Sequence, residues 1–594
     1  MKFPYGIADF YQLRTEDYFY VDRTALIRDI EEDSGKHLLF LRPRRFGKSL
    51  LLSTLENYYD LAKADEFARL FGNLAIGQNP TPKHNQYFVL KWDFSAVEPG
   101  GGPQQVRDAL HSHINQQIRG FGEYYQAWLP RPIAIDPGNA MASFQSLLGA
   151  VKLTPHRLYL LIDEYDNFAN EILMGGQTAG RANYDSLLRG EGALKAVFKT
   201  VKAAAAGWGL DRVFITGVSP IVLSDMTSGY NVAKSIYLNP RYQALCGFTE
   251  AELRQAAAQV VAACGLSSDA TEDVLAQMRL FYNGYCFSHE PGELLYNPTL
   301  ALYFLDHYQQ QCQPPLNMLD ANLAMDRGKL SYVAALPGGP EVIIKALEDN
   351  PDLTVPALAD RFGIEDLLTV TKDQQFMASL LYFFGVLTLA GRGALGELRL
   401  RIPNLVMRKL YLERLQAMLL PQAEKDEARG LAKTFFQTAD LQPVCDFVEQ
   451  RYFKVFDNRD YLQANELTVK TAFLTLLFDD RLYVMDSETT TGRRYADLTM
   501  IVRPENRQYG IHDLLLEFKF VRLGDANLSG AEARALSREQ LAALPQMQAR
   551  LAEARAQTAD YLRELRARYG QDLRLRVFAI VALGFERLVW EEIE

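Results

Sequence analysis

The run Arg42-Pro43-Arg44-Arg45-Phe46-Gly47-Lys48-Ser49 follows a short apolar segment, His37 to Leu41, and precedes Leu51, Leu52, Leu55, Tyr58 and Tyr59 at helical spacing. Strand, loop and helix in that order aim backbone N–H groups and a helix N-terminus at phosphate. Lys48 then reaches the terminal phosphates and the Ser49 hydroxyl meets a magnesium ion, with Arg44, Arg45, Phe46, Gly47 and Leu50 completing the expected nucleotide contacts. The usual pattern G-x-x-x-x-G-K-[ST] opens on glycine, whereas this chain has Arg42 followed by Pro43, which has no N–H to offer. The loop must therefore turn differently. Its arginines either add charge at the phosphates or lie on a solvated face.

Hydrolysis of such a phosphate needs one carboxylate to hold magnesium and another to orient water, both at a strand end beside the loop. Asp163 and Glu164 close the apolar run that begins at Arg157 and supply that pair, although an acidic turn there could also cap the next helix. Thr216 or Ser219, at the end of the strand that begins at Arg212, is expected to sense the terminal phosphate or merely close a turn, and Arg241 to neutralise developing charge.

A second constellation lies near the C-terminus. Glu517 and Lys519 are two apart in a strand and so share a face, with Phe518 entering the opposite side. Asp497, on the adjoining strand, completes a carboxylate pair for a divalent metal, and the lysine orients water against a phosphodiester. Glu466 or Glu488 is expected to finish the metal shell, with Gln557 and Tyr561 facing the same cleft. Exposed strands often pair opposite charges, but the apolar flanks Leu514 to Leu516 and Phe520 mark this strand as mostly buried, where unpaired charge is costly. The eight histidines are scattered and suggest neither a metal site nor a nucleophile's partner.

At 594 residues the chain exceeds one core, and a net charge of −10 argues against a surface that coats polyanions wholesale while leaving room for a local basic groove. The five cysteines lack any C-x-x-C spacing and read as buried free thiols in a reducing compartment, hence a cytoplasmic expectation. No membrane span or leader is expected; the segment from Phe376 to Gly391 reads as a buried helix running into a strand.

Tyr87 to Phe94, Arg157 to Glu164 and Arg212 to Gly217 read as further strands separated by helical patterns, which makes an α/β parallel sheet with both faces covered. The expected domains are a nucleotide-binding one over 1–248, a helical middle over 249–440, and a C-terminal one over 441–594 of order α-β-β-β-α-β. Within the middle, a helix, a hairpin turning at Gly391-Arg392-Gly393 and a helix from Leu405 to Met418 suggest a winged helix, used for packing rather than for reading DNA.

Tyr20-Val21-Asp22-Arg23-Thr24, the Arg42 to Ser49 loop, Leu161 to Asp166 and Tyr282-Asn283-Gly284-Tyr285 together resemble the AAA-ATPase-like family, in which the Arg42 departure is normal. Gly492-Arg493, Asp497, Glu517-Phe518-Lys519 and Gln557 to Tyr561 resemble the PD-(D/E)XK nuclease superfamily, with Ala496 in place of the proline and a longer segment before Asp497. The resemblances imply a P-loop sheet of the additional-strand type fused to a restriction-endonuclease-like domain. ATP and magnesium are the implied cofactors, with manganese possible at the nuclease site, and nucleic acid, DNA before RNA, is the implied substrate. The oligomeric state is left open between a monomer and a homo-oligomer that completes its sites across a subunit interface, and the company such domains keep suggests defence against mobile elements. The expectation is cleavage gated by ATP; the alternative is a nucleotide-controlled binding or assembly switch with an inactive nuclease fold.

Overall fold

The computed structural model describes residues 1–97, 102–167, 192–220, 232–290, 292–319, 327–347, 353–359, 373–420, 424–456, 465–486, 498–569 and 573–593. The chain forms two compact units, Met1–Pro314 with Leu353–Asn404, and Pro315–Asp352 with Leu405–Glu594. This division differs from the three consecutive segments expected, because residues 249–440 are shared between the two units.

The first unit is built on five parallel strands: β1 (His37–Leu41), β2 (Tyr87–Asp93), β3 (Arg157–Asp163), β4 (Leu210–Gly217) and the short β5 (Lys234–Ser235). Their order is β2-β3-β4-β1-β5, so β4 is the additional strand between β1 and β3. All five residues of β1 are buried, as a strand covered on both faces requires. The helix Lys48–Tyr59 follows β1 directly, and Pro103–Tyr124 covers the β2 edge. The latter starts with proline, whose missing N–H costs nothing at a first helical position, and buries Val106, Leu110, Ile114 and Ile118 on one stripe.

A three-stranded antiparallel sheet of order β6-β8-β7, made of β6 (Thr354–Val355), β7 (Thr388–Arg392) and β8 (Leu398–Arg401), belongs to the same unit, with the helix Gln374–Phe383 preceding β7. The expected helix and hairpin are both present. They pack on the first sheet's loop: a Cβ at Gly385, which has φ +78°, would lie 2.6 Å from Pro43 Cβ. The helix Leu405–Leu419, expected as the third part of a winged module, belongs to the other unit.

The second unit holds the sheet β13-β12-β11-β10-β9, formed by β9 (Tyr483–Asp486), β10 (Leu498–Val502), β11 (Asp513–Val521), β12 (Leu575–Leu583) and β13 (Arg587–Ile593). Only β11 and β12 run parallel. Phe518 meets Phe473 of the helix Glu466–Leu477 at 5.0 Å on one face. On the other, Val521 packs with Met547, Leu551 and Ala554 of the helix Pro545–Tyr569, and Leu515 packs with Tyr561. The expected order gains a closing strand, β13, whose run Arg587 to Ile593 alternates too little in polarity to stand out. The helical region between β11 and β12 is three helices, Gly530–Ala535, Arg538–Ala542 and Pro545–Tyr569, because Ser529 and Ser537 each begin a new capping box.

Two cysteines correct the expectation of five free thiols. Cys264 and Cys312 are disulfide-bonded, joining the C-terminal ends of the helices Glu250–Ala263 and Pro298–Gln311. They lie 48 residues apart with no flanking motif, so sequence spacing gave no sign of them. Cys246, Cys286 and Cys445 are free and buried. Among the described residues no helix is long and apolar enough to cross a membrane.

Candidate functional site

The loop after β1 is shaped by two left-handed residues, Arg45 (φ 67°) and Gly47 (φ 91°). Gly47 caps the helix Lys48–Tyr59 without a side-chain hydrogen bond, so the N–H groups of the first turn remain available to an anion. The Lys48 ammonium donates to the carbonyls of Arg42 and Pro43, each at 3.0 Å, folding back over the loop. Burial lowers its pKa, and the nearby Glu164, Asp163 and Asp166 pull it back up.

Arg42 is buried inside the fold. Its guanidinium donates to the carbonyls of Leu41, Tyr237, Tyr242 and Gln243 and lies over the rings of Phe40 and Phe287. Burial lowers it to about 10, which still leaves it charged. The residue that replaces glycine therefore anchors the loop and is not a phosphate ligand. Phe46 is also an anchor, edge-on to Tyr285 at 4.8 Å and Phe287 at 5.2 Å. This gives the Tyr282 to Tyr285 motif a structural role beneath the loop.

Strand register brings the acidic pair and the hydroxyl to the same end of the sheet: Ile162 stands beside Ile215, and Phe40 beside Thr216. Thr216 Oγ1 donates to Asp163 Oδ1 at 2.6 Å, and Glu164 N donates to the same oxygen at 3.0 Å. Glu164 has φ 48°. Burial raises its carboxyl pKa, opposed by the charges of Lys48 and Arg44. A cavity of about 340 Å³ is lined by Arg45, Phe46, Gly47, Lys48, Ser49, Leu50 and Glu164 at one end, and by Ile7, Val21, Phe248 and Leu302 at the other. Thr299 of the helix Pro298–Gln311 donates to the Arg45 carbonyl at 3.1 Å, closing that wall. Arg241 is an exposed residue paired with Asp29 and does not line the cavity. Arg44 donates to Asn167 Oδ1 at 2.6 Å.

Two further residues hold this end of the sheet together. Asp166 accepts from Val218 N, Ser219 N and Ser219 Oγ at 2.7 to 3.0 Å, and the Tyr165 hydroxyl donates to the Ser219 carbonyl at 2.6 Å. A Cβ at Gly217 would fall 2.5 Å from both the Tyr165 ring and Asp166, which explains the glycine ending β4. Ser219 is thus a clamp for the acidic turn. The acidic run in the sequence could have hinted at Asp166, but its partners lie more than fifty residues away.

In the second unit, Glu517 and Lys519 are both nearly buried, at 2% and 5% exposure. The Lys519 ammonium donates to Glu517 Oε1 at 2.9 Å and to the Phe518 carbonyl at 2.8 Å, with Glu466 Oε1 at 3.6 Å. The structure thus brings three of the sequence-derived residues together. Asp497 and Glu488 lie outside the described residues. Leu498, which follows Asp497 in sequence, pairs with Leu516, which precedes Glu517. Tyr561 packs against Leu515 and Val577. Among the described residues no cluster of three or more His, Cys, Asp or Glu side chains is arranged to hold a metal.

Comparison with known proteins adds the following. Residues 4–227 match the family model described as AAA-ATPase-like, Predicted AAA-ATPase. A protein of Azotobacter chroococcum mcd 1, described as "Uncharacterized protein in vnfD 5'region", is 27% identical over 553 residues, covering 88% of this chain and 90% of its own. Among solved structures, the Walker-type ATPase PABY2304 of Pyrococcus abyssi shares 15% identity, 67% of this chain and 96% of its own at a TM-score of 0.36. The Aeropyrum pernix ORC1 protein in complex with DNA shares 13%, 69% and 98% at 0.25, and the ORC2 protein of Aeropyrum pernix 12%, 68% and 98% at 0.32. With TM-scores this low, the three structures share too little of this chain's course to lend it a property. The five-stranded parallel sheet, the loop at the end of β1 and the family match agree: the chain carries an AAA-ATPase-like domain over residues 4–227.

Proposed function

We propose that the protein hydrolyses ATP at the loop site, and that its second unit is a PD-(D/E)XK-type, metal-dependent nuclease acting on nucleic acid, DNA before RNA, under control of that nucleotide. One observation carries the first half: Lys48, Asp163, Thr216 and Glu164 converge at the C-terminal ends of β1, β3 and β4, where open α/β sheets bind ligands. The uncapped helix N-terminus and the Ser49 hydroxyl border the loop cavity, and Ser49 shares a second cavity with the Asp163 carboxylate, a set of groups that fits a magnesium-bound polyphosphate. Bound nucleotide with its ion supplies the electrophilic phosphorus. Lys48 would leave the loop carbonyls for the terminal phosphates, Thr216 would hold Asp163 in place, and Glu164 would orient the attacking water.

The nuclease half is supported by Glu517 and Lys519 of the buried strand β11 meeting Glu466, the first residue of the helix Glu466–Leu477. The Lys519 ammonium stands between two carboxylates there, and a divalent ion, magnesium or manganese, would need ligands beyond Glu517 and Glu466 to be held. Asp497 and Glu488 are proposed as further ligands. One observation favours a second reading: the ammonium of Lys519 occupies the Glu517 carboxylate, as it would in an inactive nuclease fold that serves only as a nucleotide-controlled grip or assembly piece.

The test is cleavage of labelled DNA and RNA with magnesium or manganese, with and without ATP, by the intact chain, Lys519→Ala and Lys48→Ala. Cleavage abolished by Lys519→Ala supports the nuclease, and its dependence on ATP and on Lys48 reports the gating. Nucleotide hydrolysis with no cutting of any substrate selects the second reading.

A further inference from the structure

Glu164 is held in a backbone conformation that a residue with a Cβ seldom adopts, with φ 48°. Such a conformation persists only where surrounding contacts over-determine it. Four contacts do so here. Glu164 N is bonded to Asp163 Oδ1 at 3.0 Å, Tyr165 N donates to the Thr216 carbonyl at 3.2 Å, Asp166 clamps residues 218 and 219, and Asn167 N donates to the Glu164 carbonyl at 2.9 Å. The last closes a tight turn on Glu164 itself.

The side chain of Asn167 extends this turn to the phosphate loop. Its Oδ1 accepts from Arg44 Nη2 at 2.6 Å, and the residue is 5% exposed. Arg44 lies in the same loop as Lys48, four residues earlier. A side-chain bond therefore links the segment that would grip the phosphates to the turn that carries the carboxylate facing them. Neither the loop motif nor the acidic motif includes Asn167.

We propose that Asn167 is a positioning residue for nucleotide hydrolysis. Through Arg44 it fixes the distance and attitude of Glu164 relative to the phosphate loop, without touching the nucleotide. This rests on the reading of the loop site as an ATPase with Glu164 orienting water. Asparagine suits the task because its carbonyl oxygen accepts the guanidinium N–H. Aspartate keeps that oxygen; alanine and leucine do not.

The experiment uses the full-length chain and compares wild type, Asn167→Asp, Asn167→Ala, Arg44→Ala and the double variant Arg44→Ala/Asn167→Ala. ATP turnover is measured beside equilibrium binding of a fluorescent ATP analogue. Asn167→Ala is expected to lower kcat by roughly 10- to 100-fold, the cost of a misplaced catalytic group, with the dissociation constant held within about twofold. Asn167→Asp should retain most of the wild-type kcat. The double variant should be no slower than the slower single one, because both remove the same link.

Equal losses in Asp and Ala variants, a dissociation constant that rises in step with the fall in kcat, or multiplying losses in the double variant would each overturn the proposal. So would unchanged turnover in Asn167→Ala. A wild-type chain that binds no nucleotide, or one whose turnover survives Glu164→Gln, fails the ATPase reading itself and is told apart by the wild-type and Glu164→Gln controls. Thermal melting of every variant separates misfolding from mispositioning; should Asn167→Ala unfold, the near-isosteric Asn167→Leu takes its place.

Discussion

The carboxyl of Glu164 sets the pH response of the loop site. Burial raises it above the ordinary glutamate range, and Lys48 and Arg44 pull it back. As the group must be deprotonated to accept a proton from water, turnover should rise with pH through this raised pKa and be lost as pH falls below it. Arg44→Ala, by removing one positive charge, should move the acid limb to higher pH, and a pH profile of kcat checks the direction. Glu164→Gln should cut turnover by on the order of 10²-fold or more while leaving nucleotide binding intact, as measured by calorimetry beside an ATPase assay. Arg42 behaves differently from its neighbours in the loop. Its guanidinium satisfies four backbone carbonyls, so Arg42→Ala should cost about 2–4 kcal/mol in urea unfolding. Lys48, Asp163 and Thr216 were legible because strand ends and a basic loop carry their own local signal. Arg42 was not, since the acceptors that define its role come mostly from residues 237–243. Asn167 was equally silent, for one amide after an acidic turn has no pattern of its own.

The sheets and the helices flanking them followed from periodicity wherever burial is continuous, as in β1, β3 and β11. The closing strand β13 did not, because its polarity does not alternate: the neighbours Leu588 and Val589 are both buried, and the neighbours Glu591 and Glu592 pair with Arg555 and Arg576. The disulfide was invisible for a related reason: only the packing of two helices whose C-terminal ends meet brings the cysteines together. Cys264→Ser should destabilise the first unit by about 2–4 kcal/mol, and titration with a thiol reagent under denaturing conditions should find three free thiols in wild type. Five free thiols in that denatured, unreduced titration would refute the bond. The contact of Gly385 with Pro43 links the small β-hairpin module to the phosphate loop. Gly385→Val combines a disfavoured φ with a clash and should cost about 2–4 kcal/mol in thermal or chemical unfolding, with weaker nucleotide binding as its companion.

The polypeptide passes between its two units three times, at 314/315, 352/353 and 404/405, so neither is a continuous piece of chain. A fragment covering 405–594 lacks the helices Arg327–Ala334 and Gly339–Leu347, which pack on Leu405–Leu419, and also the Pro315 and Leu316 carbonyls that accept from the buried Arg503. It should fail to give a cooperative melt by circular dichroism, and restoring 315–352 through a flexible linker should recover one. A sharp melt from 405–594 alone would disprove the dependence. The same threading bears on how the protein is made. The loop, its helix and the four long strands have all been synthesised once residue 217 is added, yet the Gly385 backing of Pro43 comes much later. At roughly 5–20 residues per second that interval is several seconds at least. Throughout it the growing chain carries a recognisable phosphate loop without the module that supports it. Nucleotide should therefore act as a stabilising ligand for the finished protein and not as a chaperone for the nascent one, which ribosome-bound chains stalled before and after residue 401 would reveal through their resistance to protease with and without ATP.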